Sequence, residues 1–148
     1  ALHTGARAFL KAGLKIGNRD VCSEMNRVNH EIKTFSSAIH QGTLKSSTGK
    51  RFTQAVIVGI GGSYLGCEFV FEAMKQTLDP KISLHFLPNV DIDNFNTVIK
   101  QVDPETCLWI VISKSYTTTE TMANLAQAQG SFPVHCMMIS RWPGEDIA

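Results

Sequence analysis

The chain has 148 residues, 43% of them hydrophobic and 18% charged, a globular composition long enough for one ordinary domain with a real core. Fourteen Lys and Arg against 13 Asp and Glu leave a net charge of +1, which argues against nucleic acid or an anionic membrane as partner. No apolar run approaches the ~18 residues of a membrane span, and no N-terminal signal pattern precedes the first predicted element.

Gly5 to Ile16 is mostly apolar and basic and reads as a helix, weakened by Gly13 and broken by Gly17-Asn18. Asp20 is a predicted N-cap. Val21, Met25, Val28, Ile32, Phe35 and Ile39 follow at spacings of four and three, one helical face, with Gly42 as its stop. A polar loop, Gln41 to Arg51, leads into a wholly apolar strand, Ala55 to Val58. A glycine-rich turn and a helix-like segment, Tyr64 to Leu78, come next. Asp79-Pro80 marks a turn, and Ile82 to Leu87 alternates apolar with polar. Asp91 is a predicted N-cap for a helix to about Val102, ended by Asp103-Pro104. Cys107 to Ile112 is continuously apolar, Ser113 to Thr121 is rich in hydroxyls, and a helix runs to about Gln129, before Gly130. Val134 to Ile139 completes the set as a fourth strand.

This alternation of strand and helix predicts an α/β fold: a parallel sheet with flanking helices and right-handed crossovers. Parallel strands covered on both faces read as unbroken apolar runs. The first and third strands do. The second, with Ser83 and His85, reads as an edge. The predicted strand order is therefore 2-1-3-4, the flavodoxin-like arrangement, preceded by N-terminal helices. The expected organisation is an N-terminal helical segment, 1–50, and a sheet domain, 51–148.

In such sheets ligands bind outside the carboxyl ends of the strands, where the strand order reverses. That point lies between the first and third strands, whose loops are the two unusual ones of this chain. The first reads G-I-G-G-S-Y-L-G from Gly59 to Gly66. Gly61 and Gly62 let a ligand approach the backbone, the following helix start offers unpaired N–H groups, and Ser63 adds a hydroxyl. The dinucleotide fingerprint fails at Tyr64, and the P-loop pattern fails at Cys67, where lysine is required. An anion site built by neither nucleotide route remains, against the plainer reading of glycines used for packing alone.

The second loop carries Ser113, Lys114, Ser115, Thr117, Thr118 and Thr119. Thr117-x-x-Glu120 fits a capping box, which would account for Thr117 and Glu120 structurally. It leaves Ser113, Ser115 and Thr118 unexplained. Hydroxyls and amides at a helix start, with Lys114 nearby, suit a dianionic phosphate.

The paired motifs G-I-G-G-S-x-L-G and, some fifty residues later, S-K-S-x-T-T-x-E-T resemble the phosphoglucose isomerase family. The likeness extends to Ser47-Thr48-Gly49-Lys50, Asn89-Val90-Asp91 and Pro104-Glu105-Thr106, and covers about Val28 to Ile139. It implies the sugar isomerase (SIS) domain, with an enzyme of carbohydrate metabolism (glycolysis and gluconeogenesis) as the complete protein. By motif position, Gly61, Gly62 and Ser63 would lie against a sugar phosphate. Ser113, Lys114 (largely through its backbone), Ser115, Thr117 and Thr118 would hold its oxygens. Tyr64, Cys67, Ser115 and Thr119 depart from common family residues without removing a phosphate donor. The implied reaction interconverts glucose 6-phosphate and fructose 6-phosphate, with no cofactor and no metal, in a cytoplasmic or plastid homodimer. The family's catalytic glutamate, histidine, lysine and arginine lie beyond the second motif. The chain is thus expected to be an N-terminal part of an isomerase, with an incomplete C-terminal end, the phosphate grip and no catalytic residue. The rival expectation is a non-catalytic phosphosugar-sensing module.

Other groups read as structural. Ser47-Thr48-Gly49-Lys50 is a formal S-x-x-K without the companion motifs of an acyl-enzyme. His3, His30, His40, His85 and His135 share no metal-ligand spacing. Cys22, Cys67, Cys107 and Cys136 lie far apart in apolar settings and read as buried free thiols of a reducing compartment.

Overall fold

The computed structural model describes residues 15–77, 80–115, 117–131 and 135–139. The chain divides into two compact units, Ala1–Leu44 and Lys45–Ala148. The expected helix over 5–16 lies outside the described residues as far as position 14. Its last two residues are not helical: β1 (Lys15–Ile16) pairs antiparallel with β2 (Arg19–Asp20). Gly17, at φ 58°, makes the tight two-residue turn between them.

Asp20 then starts α1 (Val21–Gln41), its carboxylate accepting from the N–H groups of Cys22 and Ser23. A bond from the Ser23 hydroxyl, followed by these two backbone bonds, holds the Asp20 carboxyl below its ordinary range. Gly42 ends the helix in the left-handed region at φ 72°, donating back to Ala38 and Ile39. Val21, Met25 and Ile39 of the expected stripe are buried, but Ile32 is 59% exposed. Periodicity fixes which residues share a face, not whether that face is covered along its whole length.

In the second unit, β3 (Gln54–Val58), β4 (Ser83–Leu87), β5 (Cys107–Ile112) and β6 (His135–Ile139) form a parallel sheet in the order β4-β3-β5-β6. This is the expected 2-1-3-4 order, with the half-polar strand at an edge. Val56 is in register with His85 and Trp109, and Val58 with Leu87 and Val111, so these side chains share one face. That face carries the core: Val56, Val58, Leu87, Trp109 and Val111 pack with Phe95 and Val98 of α3 (Ile92–Ile99) and with Leu125 and Ala128 of α4 (Thr119–Ser131). Both crossovers leave toward the same side because β4 to β5 and β5 to β6 run in the same direction across the sheet.

Helix α2 (Leu65–Met74) buries no residue fully. It is shorter than the expected segment, and Leu65, Phe69, Val70 and Met74 are all 42% or more exposed. Phe71 packs tilted against Phe86 of β4, with ring centroids 6.0 Å apart. Cys67 is exposed on α2, contrary to the expectation of four buried thiols, while Cys22 and Cys107 are buried. Burial pushes the Cys107 thiol up to about 12.

The amino end of the sheet is closed by polar contacts. Lys50 pairs with Glu105, which raises the lysine above its usual range. The Gln54 amide bridges the Gln101 carbonyl at 2.9 Å and the Asp103 N–H at 2.8 Å. The opposite, carboxyl end carries the candidate site.

Candidate functional site

Because β3 and β5 are hydrogen-bonded neighbours running the same way, the loops that follow them leave from one end of the sheet. Gly59 marks where they meet. A Cβ there would stand 3.1 Å from the Ile112 carbonyl oxygen and 3.3 Å from the Ser63 Cβ, so any larger residue would have to push these neighbours back by a few tenths of an ångström. The packing reading of the glycines therefore holds for Gly59 and not for the next two.

Gly61 adopts φ +55°, and a Cβ on Gly61 or Gly62 would meet nothing within 4 Å. These two glycines open a 3-10 turn, Gly61–Ser63, closed by Ser63 N–H to the Ile60 carbonyl at 3.1 Å and Tyr64 N–H to Gly61 at 3.2 Å. Ser63 is half-buried, whereas Gly61 and Gly62 are exposed. The positive φ turns the chain so that the glycine backbone, rather than a side chain, borders the open space.

The second loop divides into two parts. Ser113 is 3% exposed and engaged within the protein. Lys114, Ser115 and Thr117 are exposed, and Thr118 is half-buried at the start of α4. Ser115 Oγ accepts from the Thr117 N–H at 3.2 Å and from the Thr117 hydroxyl at 2.7 Å. A hydroxyl has two acceptor lone pairs and one donor proton. With both lone pairs used, the Ser115 proton is the part left for another partner.

The expected capping box is not formed. Thr117 turns back to Ser115 through both its N–H and its hydroxyl. The first bond of α4 instead runs from Met122 N–H to the Thr118 carbonyl at 3.1 Å, and Glu120 is exposed. The cap position is thus Thr118, one residue later than the spacing suggested, because Ser115 offers Thr117 a nearer partner. The helix also runs through Gly130 to Ser131.

A third loop reaches the same end of the sheet. After β4, the Asn89 side-chain oxygen accepts from Asp91 N–H at 3.1 Å and from the Asn94 amide at 3.3 Å, while Asp91 caps α3 through Asp93 N–H at 2.9 Å. Asn124 of α4, 1% exposed, donates to the Asn89 carbonyl at 2.6 Å. Sequence reasoning missed Asn124. Its signal was a polar residue on the same helix face as Thr121, Leu125 and Ala128, all buried.

Among the described residues, no group of three or more His, Cys, Asp or Glu is placed to hold a metal ion. Among them, too, no helix is long and apolar enough to cross a membrane.

Comparison with known proteins gives this arrangement its family. A family model described as phosphoglucose isomerase matches residues 1–138. The chain is 54% identical over 128 residues to a glucose-6-phosphate isomerase of Desulfosudis oleivorans, covering 86% of the chain and 23% of that protein. It is 42% identical over 123 residues to one of Christiangramia forsetii, covering 83% of the chain and 22% of that protein. The crystal structure of a glucose-6-phosphate isomerase from Chlamydia trachomatis superposes with a TM-score of 0.77 at 25% identity, over 97% of this chain and 28% of that one. The chain therefore spans about a quarter of the length of the relatives it matches. With the family model matching nearly its whole length, the chain belongs to the phosphoglucose isomerase family.

Proposed function

We propose that this chain is the phosphosugar-binding part of a glucose-6-phosphate isomerase. In this reading Gly61, Gly62, Ser63, Lys114, Ser115, Thr117 and Thr118 surround the phosphate of a hexose 6-phosphate, with Ser113 as the buried floor of the second loop. The observation that carries the reading is Gly59 against Ile112, which holds the open glycine turn beside the hydroxyl loop. The glycine turn and the start of α4 follow neighbouring parallel strands, and a helix start favours negative charge.

In the complete protein, a glutamate outside this chain transfers the proton between C1 and C2 of the open sugar through a cis-enediol. This is general acid–base chemistry that calls for no organic cofactor. The relatives' names support hexose phosphates as substrates. A cytoplasmic homodimer is the assembly we propose for the whole enzyme, and a sensing module without catalysis is the alternative. Isomerisation by the complete protein, followed in a coupled assay, separates the two.

The grip is tested on the chain itself by calorimetric titration with fructose 6-phosphate and inorganic phosphate. Each hydrogen bond to a charged group contributes ~1.5–3 kcal/mol, so Ser115→Ala or Thr118→Val is expected to weaken binding roughly ten- to a hundredfold. Thr117→Ala, which removes the hydroxyl bonded to Ser115 but keeps the Thr117 N–H bond to it, is expected to weaken it less. Unchanged binding in both Ser115→Ala and Thr118→Val would overturn the reading.

A further inference from the structure

We propose that Asn124 is a positioning residue for the phosphate grip, acting through the Asn89 carbonyl. The proposal rests on the phosphosugar reading above. Asn124 sits on the face of α4 that includes Thr121, Leu125 and Ala128, and it is 1% exposed. An apolar side chain would pack there without any need for a partner. An amide must be hydrogen-bonded, because a buried polar group left alone is costly. Its bond to Asn89 at 2.6 Å meets that need and at the same time sets a geometry.

The bond closes a ring of contacts around the site. At the end of β3, Gly59 N–H donates to the Leu87 carbonyl at 3.4 Å, tying the glycine turn to the end of β4. Two residues on, the Asn89 carbonyl receives Asn124. From Asn124, α4 leads back to Thr118 and Ser115. The loop then returns to Ile112, whose carbonyl stands 3.1 Å from where a Gly59 Cβ would be. Three strand ends are thereby fixed to one another.

Apolar packing is non-directional and does not by itself set the position of α4 along its axis. A helix that slides by one residue moves ~1.5 Å along its axis. That shift would carry Thr118 and Ser115 out of hydrogen-bond range of an anion seated over Gly61 and Gly62. The far side of the tether is rigid, since the Asn89 side chain holds Asp91 N–H and the Asn94 amide, and Asp91 caps α3. Asn124 thus transmits the position of a capped helix to the hydroxyl loop.

The test measures inorganic phosphate affinity and thermal unfolding for the chain and four variants. Asn124→Leu keeps the volume and removes the donor. It is expected to stay folded and to bind phosphate about tenfold more weakly. Thr118→Val added to Asn124→Leu should cost much less than Thr118→Val alone, because the hydroxyl is already misplaced, and residues acting through one another are non-additive. A purely structural Asn124 would leave the Thr118→Val penalty unchanged. Asn89→Ala, an exposed substitution that loosens the same loop, is expected to weaken phosphate severalfold. It keeps the proposal testable should Asn124→Leu fail to fold. Wild-type affinity in folded Asn124→Leu, a full Thr118→Val penalty in the double variant, or wild-type affinity in Asn89→Ala would each overturn it. A wild-type chain that binds no phosphate overturns the underlying phosphosugar reading and this proposal with it.

Discussion

Two side chains show how local chemistry is set by what surrounds them. The Ser115 hydroxyl has both lone pairs occupied by Thr117, so its proton is oriented before any ligand arrives. Pre-orientation of this kind lowers the ordering cost of binding. His85 presents the opposite case. Its Nε2 is buried with no hydrogen-bond partner among the described residues, on the face of β4 that packs on the core, and desolvation holds its pKa below the ordinary value of 6.5. The unfolded chain therefore takes up the proton first as pH falls. Stability from His85 is fully present above about pH 6.5 and is lost as pH falls from there through the depressed folded pKa. Urea midpoints measured from pH 8 to pH 5 should decline in the wild-type chain over the lower half of that range. His85→Leu, which cannot titrate, should decline less. Parallel curves for the two would show that His85 is not linked to folding.

Among the elements, the two faces of the sheet differ in how completely they are covered. The face under α3 and α4 holds Val56, Leu87, Trp109 and Val111, each at most 1% exposed. The α2 side leaves Leu65 52% and Phe69 73% exposed. Truncating a core leucine typically costs ~2–5 kcal/mol, through lost transfer energy and the cavity left behind, whereas surface changes stay within ~0.5 kcal/mol. Leu87→Ala should thus lower the unfolding free energy by about 2–5 kcal/mol, and Leu65→Ala by about 0.5 kcal/mol or less. Urea unfolding of both variants checks this, and equal losses would contradict the packing described. Leu87 also corrects a simple view of β4: an edge strand can end in a fully buried residue when a helix covers that end.

For the whole molecule, the chain carries a proposed grip and, in our reading, no proton-transfer group. Holding a phosphate stabilises substrate and transition state almost equally, and uniform binding does not lower the chemical barrier. The purified chain, free of host enzyme, is expected to bind hexose phosphate without interconverting glucose 6-phosphate and fructose 6-phosphate. A coupled assay that detects isomerisation by the chain alone would require a base among these residues and would refute the assignment. The exposed apolar side of α2 belongs to this scale as well: among the described residues, none covers Leu65, Phe69, Val70 or Met74.

The sequence by itself determined the elements whose signals are local. Asp20, Gly42 and Asp91 cap helices where their side chains or φ angles allow it, and the unbroken apolar runs of β3 and β5 against the half-polar β4 revealed the strand order. Both kinds of signal lie within a few residues or reflect burial on two faces, so they can be read without coordinates. Tertiary structure decided the rest. Spacing made Thr117 a helix cap, but a nearer partner in Ser115 moved the cap to Thr118. Periodicity put Ile32 on an apolar face, but only packing shows that it is exposed. Asn124 looked like an ordinary helix residue because its partner, Asn89, is 35 residues away, and that contact exists only once α4 lies across the sheet.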